Sequence, residues 1–370
     1  MDLDLVEELT RIPAPAGFEV PAARFVYRHL RAFASHVTVD ALGNVLARVT
    51  PERSGKPRVM LFAHLDEVGF IVRRVEPTGL LRVARIGGIP EKSMSGQLVR
   101  ALGQRGDLPG VIGTRSHHLT PPELKYQVVP VDQVYVDLGL GSAAEVEAAG
   151  VVVGTPVVWE RHFSRRGRRI FANALDDRAG LAALLGAGAA IAKAPPPEAE
   201  VWIVATVQEE WSLQGAVPAV RAVEPDMAIG VDISPACDTP ELAGQSDVAL
   251  GQGPVISAFT FHGRGMLLGL IPDPALSAVA FAAAERSAVP VQRGVLFGGL
   301  TDGSFVQYQG RGIPSLDLAL ATRYTHAPVE SCDIGDLEGL ERLLVELPAR
   351  WAQSPDRSRA DLVRAGVDAR

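Results

Sequence analysis

The sequence contains only two cysteines, Cys237 and Cys332, among 370 residues. Two cysteines cannot build a disulfide framework, so we expect a reducing compartment, the cytoplasm. The acidic N-terminus has no basic region before an apolar stretch, and no secretory signal peptide is predicted. The longest apolar run, at 181–192, is too short to cross a bilayer and predicts a buried helix. We therefore expect no association with a membrane.

Basic charge is also scarce, since 36 lysines and arginines stand against 43 acidic residues, giving a net charge of −7. This balance leaves no basic footprint for nucleic acid, so no nucleic-acid partner is expected. A glycine-rich phosphate loop of the required spacing is also missing. The hydrophobic content of 47% is ordinary for a globular protein, and the length is sufficient for two or three domains.

Two kinds of segment alternate along the chain. Apolar strands at 201–210 and 227–234 flank a helical pattern at 216–223, which predicts a βαβ unit and a mostly parallel sheet. A further long strand is expected over 57–75. The segment from about 74 to 162 instead contains short β runs rich in glycine, valine and proline, typical of a small β-barrel or sandwich.

These patterns predict an α/β fold whose catalytic domain comprises residues 1–73 and 163–350. A small β-barrel-like domain at 74–162 interrupts it. The tail at 351–370 is rich in arginine and aspartate and is interpreted as a frayed helix.

The chemistry of the chain lies in polar clusters that follow apolar runs. His64 and Asp66, in AHLDEVGF, are two positions apart on a predicted strand, so their side chains point to the same side. His64 could then bind a metal ion while Asp66 orients it or a water. A structural His–Asp pair in the core is the alternative, and these residues alone leave both interpretations open.

Three further carboxylates occur at similar places. Asp176, in ANALDDRAG, opens a predicted helix, where it could be a simple cap or a carboxylate that bridges two metals roughly 3.5–4 Å apart. Glu209 and Glu210 end a predicted strand, and neighbouring residues on a strand diverge. One is therefore expected to bind a metal while the other holds the attacking water and moves protons. The divergence also argues against a glycosidase pair, whose carboxyls must face each other.

Asp232 and His326 complete the candidates. Asp232 ends the strand AIGVDIS, where a turn or cap role is the alternative, and His326 in YTHAP offers an imidazole suited to zinc, cobalt or manganese. Buried charges are costly unless they are paired or bound to cations. The whole set is explained together if two divalent metals share a pocket at the carboxyl edge of the sheet, and this predicts a hydrolase.

The motifs resemble those of the cytoplasmic family of glutamyl, deblocking and tetrahedral dodecameric aminopeptidases, some members of which are called endoglucanase M. The resemblance covers about residues 3–348 and rests on AHLDEVGF, ALDDRAG, VQEEWSLQGA, VDISPACDTP and RYTHAPVE. It implies five ligands for two divalent ions per subunit, namely His64, Asp176, Glu210, Asp232 and His326. His64 and Asp232 would hold one ion, Glu210 and His326 the other, and Asp176 would bridge them. The resemblance gives Asp66 and Glu209 catalytic roles, with Glu209 as the general base.

The same resemblance implies a metallopeptidase domain interrupted by a β-rich oligomerisation domain. It implies release of N-terminal residues from peptides, with zinc as the first metal and cobalt or manganese next, and a cis bond between Asp176 and Asp177. A homo-oligomer is expected, a dimer at least and by resemblance a tetrahedral dodecamer. The chain departs from the family pattern at Trp211 and Ser212, where valine and glycine are usual, and at an extra Leu300 in FGGLTDGSF.

Two other functions stay open from the residues alone. The same metal centre would serve an amidohydrolase or deacylase acting on small acylated amino acids. The chain could also be an idle scaffold that keeps the fold, but a degenerate site usually loses a ligand, and here the set is complete.

Overall fold

The computed structural model describes residues 1–263 and 265–368. Its strands are β1 (His36–Val39), β2 (Val45–Arg48), β3 (Arg58–His64), β4 (Gly69–Val75), β5 (Leu81–Ile86), β6 (Leu98–Gly103), β7 (Gly106–Ile112), β8 (Tyr135–Asp137), β9 (Pro156–Trp159), β10 (Phe163–Arg166), β11 (Arg169–Ala172), β12 (Glu200–Thr206), β13 (Met227–Pro235), β14 (Val255–Phe261), β15 (Gln292–Phe297), β16 (Ser315–Thr322) and β17 (Glu330–Asp333). The α-helices are α1 (Leu3–Arg11), α2 (Val20–Leu30), α3 (Ala143–Ala148), α4 (Leu175–Lys193), α5 (Glu209–Ser212), α6 (Ala216–Val223), α7 (Pro274–Arg286), α8 (Gly303–Val306), α9 (Ile334–Gln353) and α10 (Arg359–Asp368).

One eight-stranded sheet forms the centre of the molecule, in the order β1-β2-β12-β3-β13-β16-β14-β15. The pairs β12–β3, β3–β13, β13–β16 and β14–β15 are parallel, and the other three are antiparallel. The predicted mostly parallel α/β sheet is therefore confirmed. Such sheets are covered on both faces, which explains why β12 and β13 are almost continuously apolar.

Alternation along β3 shows how the two faces are covered. Leu61 and Ala63 belong to the large hydrophobic core that also contains residues of α4 and α9, whereas Met60 and Phe62 pack in a separate cluster with residues of α6. Because successive side chains of a strand point to opposite faces, these two clusters lie on opposite sides of the sheet.

The predicted inserted β domain is also confirmed as a closed barrel of six strands, in the order β4-β5-β8-β7-β6-β9. It has its own apolar core, in which the rings of Phe70 and Trp159 meet edge to face with centroids 5.1 Å apart. Its strands lie between β3 and β10 in the chain, so the barrel interrupts the α/β domain.

Two of the predicted strands are wrong in their bounds. The run 57–75 is not one strand, because β3 ends at His64 in the main sheet and β4 begins at Gly69 in the barrel. The strand expected at 201–210 ends at Thr206, and α5 begins at Glu209 after Gln208 adopts a left-handed conformation with φ of 59°. In both places the polar cluster leaves the sheet, which an apolar pattern alone does not reveal.

The tail folds back onto the α/β domain. The indole Nε1 of Trp351 donates to the carbonyl of Arg357 at 2.8 Å, and the amide of Arg359 donates to Asp273 at 2.7 Å. The helix α10 follows these contacts, in the tail for which a frayed helix is expected, and the last two residues of that tail lie outside the described part of the chain. Among the described residues, we find no helix long and apolar enough to cross a membrane.

Candidate active site

The predicted site residues converge at the carboxyl edge of the central sheet. His64 is the last residue of β3, Asp232 lies near the end of β13, and Glu209 follows β12 by three positions. His326 follows the end of β16, which runs parallel to β13. Asp176 approaches the same point from the first turn of α4. Parallel strands bring their carboxyl ends together, so residues far apart in sequence meet here.

Asp176 lies between the two histidines. Its Oδ1 is 3.2 Å from Nε2 of His64, and its Oδ2 is 3.3 Å from Nε2 of His326. The same nitrogen of His326 lies 3.2 Å from Oε1 of Glu210. One carboxylate therefore presents a separate oxygen to each of two imidazoles. The peptide bond between Asp176 and Asp177 is cis, as the resemblance implied.

The described chain contains three groups of candidate ligands, and within each group the ligand atoms lie within 4.8 Å of one another. The first group contains His64, Asp176 and Asp232, and the second contains Asp176, Glu210 and His326. Asp176 is the one residue that these two groups share, as a bridging ligand would be. A third group joins His64 with Glu209 and Glu210, so Glu209 lies within reach of the same centre.

Asp66 acts on the surrounding backbone as well as on His64. Its two carboxylate oxygens accept hydrogen bonds from the amides of Glu209 at 3.1 Å and Glu210 at 3.0 Å. Its Oδ1 also lies 3.6 Å from Nδ1 of His64, and the residue is fully buried. Asp66 thus holds the loop after β12 against the end of β3.

The side chains of Glu209 and Glu210 do point in different directions, although for a different reason from the one expected. They lie on the short helix α5 rather than on a strand, and consecutive helical residues point about 100° apart. Glu210 turns towards His326, while Glu209 is buried within reach of His64. The expected difference in their surroundings is present, but the strand geometry from which it was argued is wrong.

Glu330 was not assigned a role from the sequence. Its Oε2 accepts from the amide of Asp176 at 3.0 Å, and its Oε1 accepts from the amide of His326 at 2.7 Å. Burial raises its pKa to about 8. The residue closes the motif RYTHAPVE, so its place in that motif was the available signal. It joins two candidate ligands that are far apart in the chain.

Glu67 is a second residue that sequence reasoning missed. Its carboxylate accepts from the amide of Ala14 at 2.8 Å and from Nη1 of Arg161 at 2.7 Å, and it is buried. Arg161 follows the last barrel strand, so this pair ties the exit of the barrel to the motif that contains His64 and Asp66. Its position directly after Asp66 in AHLDEVGF was the signal.

The electrostatics of the cluster favour bound cations. Burial raises the pKa values of Asp232 and Glu209 well above their ordinary range. Burial lowers the pKa of His64, but hydrogen bonds with Asp176 and Asp66 outweigh this and hold it well above its ordinary value. When no metal is bound, protons on these acids and on the imidazole of His64 therefore offset the negative charge of the cluster. Divalent cations could replace these protons, and mixed imidazole and carboxylate ligands suit zinc, cobalt or manganese.

A cleft of about 820 Å³ opens directly onto this cluster. Asp176, Glu209, Glu210, Asp232 and His326 all contribute to its wall. His64 and Asp66 are almost fully buried behind them. A substrate in the cleft would thus meet one surface lined by candidate ligands and by Glu209.

Comparison with known proteins agrees with this geometry. Residues 43–343 match the family described as M42 glutamyl aminopeptidase. The chain is 40% identical over 335 residues to a putative aminopeptidase, SgcX, of Escherichia coli strain K12, which covers 90% of each chain.

Solved structures give the same result. The chain superimposes on a TET aminopeptidase from a marine sediment Thaumarchaeota archaeon with a TM-score of 0.88 and 30% identity, covering 94% of this chain and 96% of that one. It also resembles the TET1 peptidase of Pyrococcus horikoshii, described as assembling into a tetrahedron or a large octahedral shell. The TM-score there is 0.81 and the identity 31%, over 94% of this chain and 98% of the other.

Proposed function

This chain belongs to the M42 glutamyl aminopeptidase family and is a metal-dependent aminopeptidase, and we propose that it uses two divalent ions per subunit to release N-terminal residues from peptides. The observation that carries the proposal is the position of Asp176. Each of its oxygens faces a different imidazole, at 3.2 Å from His64 and 3.3 Å from His326. A carboxylate shared in this way suits a bridge between two ions.

The remaining ligands divide between the two sides of Asp176. His64 and Asp232 would hold one ion, and Glu210 and His326 the other, in agreement with the two groups that share Asp176. Zinc is the first candidate because two histidines and three carboxylates suit it, and cobalt or manganese could replace it. Divalent ions in this place would lower the pKa of a water molecule and polarise the carbonyl of the scissile bond.

Glu209 is the proposed general base. It lies in the wall of the cleft and within reach of His64, but it is not needed to complete either of the two groups that share Asp176. Its carboxylate would accept a proton from the attacking water and pass it to the leaving amine. Asp66 supports this step through its contacts, because it orients His64 and holds the amide of Glu209. Asp66 would therefore contribute to catalysis through its contacts with His64 and Glu209.

The barrel, proposed as the domain spanning 74–162, supplies none of the ligands. We propose that it makes contacts between subunits, because its β7–β8 connection exposes Leu119 and Tyr126, which are 80% and 96% accessible. By likeness to the Pyrococcus horikoshii peptidase, the assembly would be a tetrahedral dodecamer built from dimers. Light scattering coupled to size exclusion tests this, and a concentration-independent mass near 39.3 kDa would contradict any assembly. The cytoplasm is the proposed location, since both cysteines are free.

The function is tested with protein that has been stripped of metal and reloaded with zinc, cobalt or manganese. We expect close to two ions per subunit by elemental analysis, and hydrolysis of aminoacyl anilides that have a free α-amino group. The matched N-acetylated anilides should stay intact. Cleavage of the acetylated compounds alone would support the deacylase instead. No hydrolysis with any of the three ions would refute the proposal.

A further inference from the structure

The lining of the cleft consists of two parts, the candidate metal cluster and the side chains beyond it. Four carboxylates line the cleft, those of Asp176, Glu209, Glu210 and Asp232, and all four belong to the candidate metal cluster. Among the described residues of the lining there is no lysine, no arginine and no further carboxylate. Beyond the cluster the described lining combines the polar side chains of Ser212, Gln214, His262 and Thr325 with a larger apolar set, Trp211, Ile233, Met266, Leu296, Phe297 and Leu300.

This apolar wall begins directly beside the cluster. Ile233 follows Asp232 in the chain, and Leu296 lines a small neighbouring cavity together with these two residues. Leu296 also approaches the glycine pair closely, because a Cβ added at Gly299 would lie 2.9 Å from its Cδ2. A substrate group that reaches past the cluster therefore meets hydrocarbon within one residue of a candidate ligand.

Leu300 extends the same wall after the glycine pair that follows β15. It is half-buried and belongs to the cleft lining. Phe297 ends β15 and is 69% exposed, so its ring stands at the edge of the opening.

We infer that the cleft selects peptides whose N-terminal side chain is apolar, such as leucine, methionine or phenylalanine, and that Leu296 and Leu300 determine this choice. The inference rests on the proposed function. A glutamate side chain would meet four carboxylates and no lysine or arginine in the described lining, where His262 is the one imidazole outside the cluster. A lysine side chain would find only carboxylates that are already engaged by the cluster. An unpaired charge placed against these leucines loses hydration without compensation, whereas an apolar side chain gains from burial.

The test compares leucyl, methionyl, phenylalanyl, glutamyl and lysyl anilides on the same reloaded protein. We expect kcat/KM for the three apolar substrates to exceed that for the two charged ones by at least about tenfold, since one methylene in an apolar pocket already gives that discrimination. A glutamyl or lysyl substrate that equals or exceeds leucyl would overturn the inference and leave the aminopeptidase function standing. Absence of hydrolysis for all five with every metal would overturn both.

A variant tests the wall itself. Leu300→Lys should raise the ratio of glutamyl to leucyl kcat/KM by at least about tenfold, mainly through KM, because it places a cation where the chain has hydrocarbon. The matched control is Val363→Lys, which adds the same charge at an exposed apolar residue of α10, where it should leave the ratio unchanged. Metal content and unfolding temperature report folding, and Leu300→Ala replaces the lysine variant if that one misfolds. In the Leu300→Ala protein, the preference for leucyl over alanyl anilides should weaken. An unchanged ratio in a folded, metal-loaded variant would overturn the inference.

Discussion

Replacement of Glu209 by glutamine is the most direct test of the proposed proton transfer. The side chain keeps its shape but loses the ability to accept a proton. The backbone should stay in place, because the amide of Glu209 donates to Asp66 at 3.1 Å whatever its own side chain is. Burial raises the pKa of Glu209 well above its ordinary range, so this position already favours a neutral side chain, which the amide supplies. We therefore expect a folded protein that is at least as stable as the wild type when no metal is bound.

The expected loss of activity follows from the step that the side chain performs. Proton transfer by a positioned carboxylate typically contributes about 10²–10⁴-fold, which corresponds to about 3–5 kcal/mol of activation free energy. Loss in this range should appear in kcat, while KM changes little, because the residue acts on the water rather than on substrate binding.

The neighbouring residue supplies a matched control. Glu210→Gln makes the same chemical change one position away, but Oε1 of Glu210 lies 3.2 Å from Nε2 of His326 and belongs to the proposed second ligand group. We expect Glu209→Gln to keep close to two ions per subunit and Glu210→Gln to lose one, by elemental analysis after reloading. Near-normal kcat in a fully loaded Glu209→Gln protein would remove the base role from this residue.

Three further outcomes follow from the same geometry. Asp176→Asn should reduce metal content from two ions per subunit to about one or fewer, because the amide keeps one oxygen but loses the other oxygen and the negative charge that both ligand groups share, and a protein that still binds two would contradict the bridge. Glu330→Gln should weaken metal affinity by about 10–100-fold in chelator competition, whereas Glu338→Gln, at an exposed carboxylate, should not. Burial raises the pKa values of Asp317, Asp302 and Glu330 to about 6, 7 and 8, so the folded chain binds more protons than the unfolded one. The unfolding temperature of metal-stripped protein should therefore decrease as the pH is raised from about 5 to about 8. An increase over that range would contradict the predicted direction.

The sequence predicts the sheet and the positions of the candidate ligands because both depend on regular patterns. Buried parallel strands are continuously apolar, and a polar residue at the end of such a run, as at His64 and Asp232, marks the edge where sites form. The inserted barrel is visible because its short strands and glycines break the helical periodicity on either side. These features are local, so the chain displays them without reference to tertiary contacts.

The parts that the sequence does not predict are set by tertiary contacts. No pattern shows that the chain leaves the sheet at Thr206, because the left-handed turn at Gln208 is stabilised by Asp66, which binds the two following amides. The role of Glu330 depends on a meeting between α4 and the segment after β16. Residues 176 and 330 are 154 positions apart, and periodicity carries no information over that distance.

The same contacts explain why the centre contains more carboxylates than the two proposed ions need. Asp66 and Glu330 each accept hydrogen bonds from two backbone amides that belong to candidate ligands or to the proposed base. A carboxylate suits this task because both of its oxygens accept, whereas an amide side chain would place a donor against one of the N–H groups. Because each acid binds two amides, these hydrogen bonds hold the ligands in place before any ion arrives. The surplus acids therefore serve the geometry of the centre.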